Sequence, residues 1–155
     1  MNYINVLLSG VLRGFLIDKN GKDITDCFAF RTGEIAAPCH SLDKPAQISI
    51  EAITPCEVLK IPAGVVWKLL EERTELVQLY NQYLVQALER HWEIKMIMYQ
   101  YSAMQRYQWF LKRYPELCKT VNSRHIASFL GITPVTLSRL RTKLKNDQLA
   151  ISDHC

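Results

Sequence analysis

From Val77 to Tyr101 apolar residues return every three or four positions, and neither glycine nor proline interrupts them. The row is Val77, Tyr80, Leu84, Ala87, His91, Ile94, Met98 and Tyr101, a heptad seam kept for more than three heptads. Gln78, Gln82, Glu89, Arg90, Glu93 and Lys95 lie off it. A helix of this length spans roughly 35 Å at 1.5 Å rise per residue. It needs either its own domain or a partner helix to cover the seam. The segment upstream is small, so a parallel helix from a second copy is the better cover. His91 then serves as a packing residue on the seam.

The segment before the helix reads as short strands. Residues 11–18 and 22–30 flank Asn20-Gly21, a tight-hairpin signal because both residues tolerate positive φ. Thr32-Gly33-Glu34 is a turn, and 36–46, with Pro38 and Pro45, is an irregular connection. Ile48, Ile50 and Ala52 alternate with Ser49 and Glu51, the period of a half-buried strand. Residues 56–61 make another strand. Pro62 fits the first position of a short helix over 63–72, where a missing N–H costs nothing. The fold class is α+β. Three parts are expected: an antiparallel β unit with its short helix over 1–72, a dimerisation helix over 73–101, and a helical domain over 102–155.

The last part carries the clearest punctuation. A helix over 103–113 has Met104, Tyr107, Phe110 and Leu111 on its core face and stops at Tyr114-Pro115. Asn122 or Ser123 caps a helix from Arg124, with Ile126, Ala127 and Leu130 inward. Gly131 terminates it, Ile132 plugs the turn, and Thr133-Pro134 opens a second helix over 134–146. Leu137, Leu140 and Leu144 are its buried stripe. Two short helices around a glycine turn make a helix-turn-helix, and Ala127 is small where they approach. The second helix then exposes Thr136, Ser138, Arg139, Arg141, Thr142, Lys143 and Lys145, a face suited to the major groove.

Charge is distributed accordingly. Residues 1–105 hold 10 Lys and Arg against 12 Asp and Glu, while 106–155 hold 9 against 3. A polyanion is therefore expected at the carboxyl end. The five cysteines, Cys27, Cys39, Cys56, Cys118 and Cys155, show no metal or redox spacing and read as reduced thiols. No membrane span or secretory leader is visible, so a cytoplasmic protein is expected. No phosphate loop, nucleophile elbow or His/Asp/Glu cluster is present, so no catalytic or metal residues and no cofactor are assigned. His125 is expected on the surface.

The segment Arg124-His-Ile-Ala-Ser-Phe-Leu-Gly-Ile-Thr-Pro-Val-Thr-Leu-Ser-Arg-Leu-Arg141 resembles the Crp/Fnr family of bacterial transcription regulators. Gly10-Val-Leu-Arg-Gly14 and Pro55-Cys-Glu-Val-Leu-Lys-Ile61 resemble strands of its cyclic-nucleotide-binding-like jelly roll. The resemblance implies a homodimer on palindromic promoter DNA. DNA contacts would come from Arg124, Thr133, Pro134, Val135, Thr136, Ser138, Arg139, Arg141, Thr142 and Lys143, with Arg139 the best candidate for a guanine. RNA polymerase and an unknown small-molecule effector are the implied further partners. The family's early strands have no counterpart before Tyr3, so a partial, open barrel is expected. Its ribose- and phosphate-holding pairs are replaced by Ala37-Pro38 and Ala46-Gln47, so cyclic-nucleotide binding is not expected.

Overall fold

The computed structural model describes residues 3–35 and 48–152, with side chains described as far as 147. Ala37-Pro38, Ala46-Gln47 and the 36–46 connection lie outside the described residues. The chain forms two compact units, Met1–Lys95 and Met96–Cys155.

Among the described residues the first unit holds five strands in two antiparallel sheets. Strands β1 (Tyr3–Ser9) and β5 (Glu57–Pro62) pair with Ile4 opposite Ile61. Strand β2 (Leu12–Ile17) lies between β3 (Asp23–Ala29) and β4 (Ser49–Ala52). As described, the sheets do not close into a barrel. Leu7 and Leu12 pack with Ala29, Cys56 and Val58, and Ile4 packs with Ala63 of helix α1 (Ala63–Glu72). Pro62 ends β5 and stands at the N-cap of α1, one position earlier than its expected place inside the helix.

The β2–β3 hairpin forms where Asn20-Gly21 marks it, but only Gly21 takes a positive φ, +78°. Gly21 N–H donates to the Asp18 carbonyl, and Asp18 N–H donates to Lys22. This is a three-residue loop ending in a left-handed glycine rather than a two-residue turn. The Asp18 carboxylate accepts from the amides of Asn20 and Lys22. Those two bonds, Lys22's first, hold its pKa below the usual value.

Strand β4 does not present the face its alternation suggests. Ile50 is exposed and Glu51 is the partly covered residue. The cause is Arg13, whose side chain is 2% exposed. Its Nε donates to Glu51 at 2.9 Å, and its two terminal nitrogens reach the Asp23 carboxylate at 2.6 and 2.7 Å. Thr25 accepts a further bond at 3.0 Å. Burial works against the guanidinium charge. Asp23 and then Glu51 outweigh that and raise its pKa. One buried cation thus ties three strands together, and Glu51, its side chain 40% exposed, completes the pairing from the surface.

On the other side of β2, the Cys27 sulfur lies where a side chain on residue 14 would be. Burial, then neighbouring Asp26, pushes the Cys27 thiol up to about 12. Burial keeps the thiolate scarce at pH 8. Cys27 should therefore stay unmodified by iodoacetamide at that pH under conditions that alkylate the unfolded chain. Peptide mass mapping checks this, and rapid Cys27 labelling in the folded protein would refute it.

Helix α2 (Thr74–Gln100) is one continuous helix, as the seam requires. Its covered residues are Leu76, Val77, Tyr80, Tyr83, Ala87, Ile94, Ile97 and Met98. Its exposed apolar residues include Val85, Leu88, Trp92 and Tyr99. With Asn81 and Lys95 these form a second heptad row, each member one residue beyond an expected one, a rotation of about 100°. Of the expected seam, Val77, Tyr80, Ala87, Ile94 and Met98 are partly covered by the chain itself. Leu84, His91 and Tyr101 are exposed.

Candidate nucleic-acid interface

The second unit begins at Met96, inside the last turns of α2. Ser102 caps helix α3 (Ala103–Arg113) in a capping box with Gln105, which explains the break after Tyr101. Tyr107 and Phe110 are buried on its core face. Pro115 follows the end of α3, and a four-residue helix, α4 (Leu117–Thr120), not anticipated from the sequence, adds buried Leu117. Trp109, Phe110, Tyr114 and Phe129 form an aromatic cluster with centroids 5.2–6.4 Å apart.

Helix α5 (Ser123–Phe129) starts at Asn122, whose side chain accepts from the Arg124 amide at 3.0 Å. It ends in a left-handed glycine, Gly131 at φ +63°. Gly131 N–H donates to Ser128 and Ile132 N–H donates to Ala127. Those two bonds satisfy carbonyls that the helix end would otherwise leave bare. Arg106 closes the space beside this turn, with Nη1 3.2 Å from where a Cβ on residue 131 would sit. A side chain at 131 meets both a disfavoured backbone conformation and a crowded site.

Helix α6 (Pro134–Ser152) follows at once. Thr133 caps it, its Oγ1 accepting from the Thr136 amide at 3.1 Å, and Pro134 is the first helical residue. Helix α6 packs on α5 and α3. Ile126, Ala127, Leu130 and Leu137 are buried. Ala127 is fully enclosed, in keeping with its small size. The α5–α6 pair around its glycine turn is therefore built from local capping and packing on Leu137, and it turns one side of α6 to solvent.

On that side Pro134, Val135, Ser138, Arg139, Thr142, Lys143 and Lys145 are exposed, as are Thr133 before the helix and Arg124 on α5. The first acidic residue on α6 is Asp147. Thr136 is partly covered, and its hydroxyl pairs with that of Thr133 at 2.9 Å. The Thr142 hydroxyl donates back to the Ser138 carbonyl.

Two residues depart from their expected places. Arg141 does not lie on the open face. It is partly buried, donating from Nη1 to Ser123 Oγ at 2.6 Å and from Nε to Tyr107 Oη at 3.3 Å. It fixes the rotation of α6 against α3 and the start of α5. His125 is 5% exposed and accepts from Arg124 Nε at 3.1 Å, so it is a core residue. Sequence reasoning did not find Tyr107 and Ser123 as anchors for Arg141. The available signal was a tyrosine on a core face, whose hydroxyl needs a partner when buried.

Among the described residues no group of three or more His, Cys, Asp or Glu could hold a metal ion. No helix there is long and apolar enough to cross a membrane. No family model matches the chain, and no curated protein sequence does. Solved structures do. FixK2 from Bradyrhizobium japonicum superposes with a TM-score of 0.81 at 17% identity, over 95% of this chain and 76% of that one. CLP, the c-di-GMP responsive global regulator of Xanthomonas campestris, gives 0.75 at 13% identity, over 96% and 79%. A regulator assigned to the Crp/Fnr family from Eubacterium rectale gives 0.71 at 15% identity, over 94% and 70%. The chain has the fold of the Crp/Fnr regulators.

Proposed function

We propose that this chain, built on the Crp/Fnr fold, is a transcription regulator that binds duplex DNA as a homodimer through α6, without a cyclic nucleotide. The observation that carries this reading is the split character of α6. One side is a leucine stripe, with Leu137 buried and Leu140 and Leu144 partly covered. The other is exposed, basic, and free of carboxylates until Asp147. A helix with one such face fits the major groove, where arginine can bond guanine twice and hydroxyls can meet phosphates. Arg124, Arg139, Lys143 and Lys145 supply the positive charge. Arg141 serves as a positioning residue in this reading, which leaves Arg139 as the principal base reader.

The exposed row Asn81, Val85, Leu88, Trp92, Lys95 and Tyr99 supports the homodimer in this reading. A monomer would leave this apolar stripe in water, and a parallel copy of the same helix covers it. Leu84 and His91 would flank the seam. Two copies related by a two-fold axis suit a palindrome with half-sites about one helical turn apart. RNA polymerase and a small-molecule effector remain the further partners of this reading.

Selection of bound sequences from randomised duplexes tests it directly. A palindromic site should emerge, with affinity falling steeply as salt rises because each neutralised phosphate releases counterions. Arg139→Ala should cost about 1–3 kcal/mol per half-site and relax preference at one base pair. An Arg139→Ala protein with unchanged sequence preference would refute the assignment of that residue. Failure to enrich any duplex would refute DNA binding.

A further inference from the structure

We infer that Val135 reads the 5-methyl group of a thymine, so that each half-site carries an obligatory thymine close to the guanine read by Arg139. The inference rests on the DNA-binding reading above and specifies what that surface recognises.

The observation is an apolar side chain where solvent would otherwise favour a polar one. Val135 is 61% exposed in the first turn of α6. Val135, Arg139, Thr142 and Asn146 follow steps of four, three and four, so they form one row along the helix. All four are exposed, and Leu137 on the opposite side is fully buried. Val135 thus heads the middle of the open face, with exposed Pro134 beside it.

The Thr133, Thr136, Thr142 and Arg141 side chains around it are already engaged. Thr133 Oγ1 caps the helix and pairs with the Thr136 hydroxyl. Thr142 is bonded to Ser138, and Arg141 is drawn inward to Tyr107 and Ser123. The leading end of the face therefore presents hydrocarbon, and Arg139 one turn later presents a forked donor.

The occupant follows from charge and from the edges that bases expose. The face is basic, which selects a polyanion. In the major groove only thymine offers a methyl group. A cytosine amino group against Val135 would lose water without gaining an acceptor. The apolar tip therefore favours thymine by contact and disfavours cytosine by desolvation.

Uracil differs from thymine only by this methyl, which makes the test direct. The selected palindrome would be synthesised with deoxyuridine in place of each thymidine, one symmetric pair at a time. Binding would be measured for the full chain and for Val135→Ala. Val135 is exposed and alanine favours helix, so the variant keeps its fold. The expected result is one thymine per half-site at which uracil weakens binding roughly fourfold, about fifteenfold when both half-sites are changed, the size expected for one buried methyl group. That position should lie next to, or one step from, the base pair whose preference Arg139→Ala relaxes. In Val135→Ala the thymine–uracil difference should fall towards one there and persist elsewhere. Equal binding of thymine and uracil duplexes overturns the inference but leaves DNA recognition standing. So does a uracil effect that Val135→Ala leaves unchanged. Absence of any duplex binding overturns this proposal together with the reading beneath it.

Discussion

Leu88→Glu should turn a dimer into a monomer and lower affinity for a two-half-site duplex by about 10²–10⁴. Leu88 is 57% exposed at the centre of the second heptad row, with Val85 before it and Trp92 after it. In a parallel pair a glutamate there would face its own copy across the two-fold axis. Two carboxylates would then be desolvated against each other without a cation between them. The helix should survive, because glutamate is a good helix former and position 88 makes little contact within the chain. The fall in affinity does not come from a lost DNA contact. It comes from losing the second half-site's effective concentration once the first is bound. Sedimentation and DNA titration measure the two effects, and circular dichroism reports the helix. Gln82→Glu, on an exposed position off the row, is the control and should remain dimeric. A Leu88→Glu protein that stays dimeric would place the contact elsewhere, as would a native chain that sediments as a monomer.

Phe110→Ala should cost about 3–5 kcal/mol, the range for removing a fully enclosed aromatic ring. Phe110 is 0% exposed and lies 5.2 Å from Tyr114 and 5.7 Å from Phe129, centroid to centroid. Phe129 belongs to α5, so the ring joins the third helix to the first helix of the helix-turn-helix. Its loss leaves a cavity that rigid neighbours on short helices cannot fill. A unit of this size loses several degrees of melting temperature per kcal/mol, so its transition should fall by more than ~10 °C. DNA binding should persist in the cold and disappear on warming well before that of the native chain. Thermal melts followed by circular dichroism give the first result, and gel shifts at two temperatures give the second. A melting shift below ~3 °C would show that the aromatic cluster is not the core of this unit.

The elements that could be read from the sequence are those whose ends are set by neighbouring residues. Asn122, Gly131, Thr133 and Pro134 fix the helix-turn-helix through caps and one left-handed residue, each within a few positions of its partner. Ser102 with Gln105 fixes the start of α3 in the same way. The hairpin at Gly21 is local too, although its loop is one residue longer than the dipeptide suggests. The resemblance carried by Arg124 to Arg141 pointed to the fold that the solved structures then matched.

What could not be read depends on what lies across from a side chain. Two rows on α2, one through Tyr80 and Ile94 and one through Val85 and Trp92, obey the same three-and-four spacing. Which one the chain covers for itself is decided by residues distant in sequence. Arg13 is the same kind of case. Its partners Asp23 and Glu51 are 10 and 38 residues away, and their pairing reverses the expected face of β4. Arg141 has the helical position of a groove residue, but Tyr107 and Ser123, 34 and 18 residues away, draw it inward. The sequence by itself determined where helices and turns begin and end, and that the carboxyl end is basic, because capping, chain chirality and charge act over a few residues. Only the tertiary structure decided which side of each element meets solvent, because burial is set by contacts between segments that the chain brings together only when it folds.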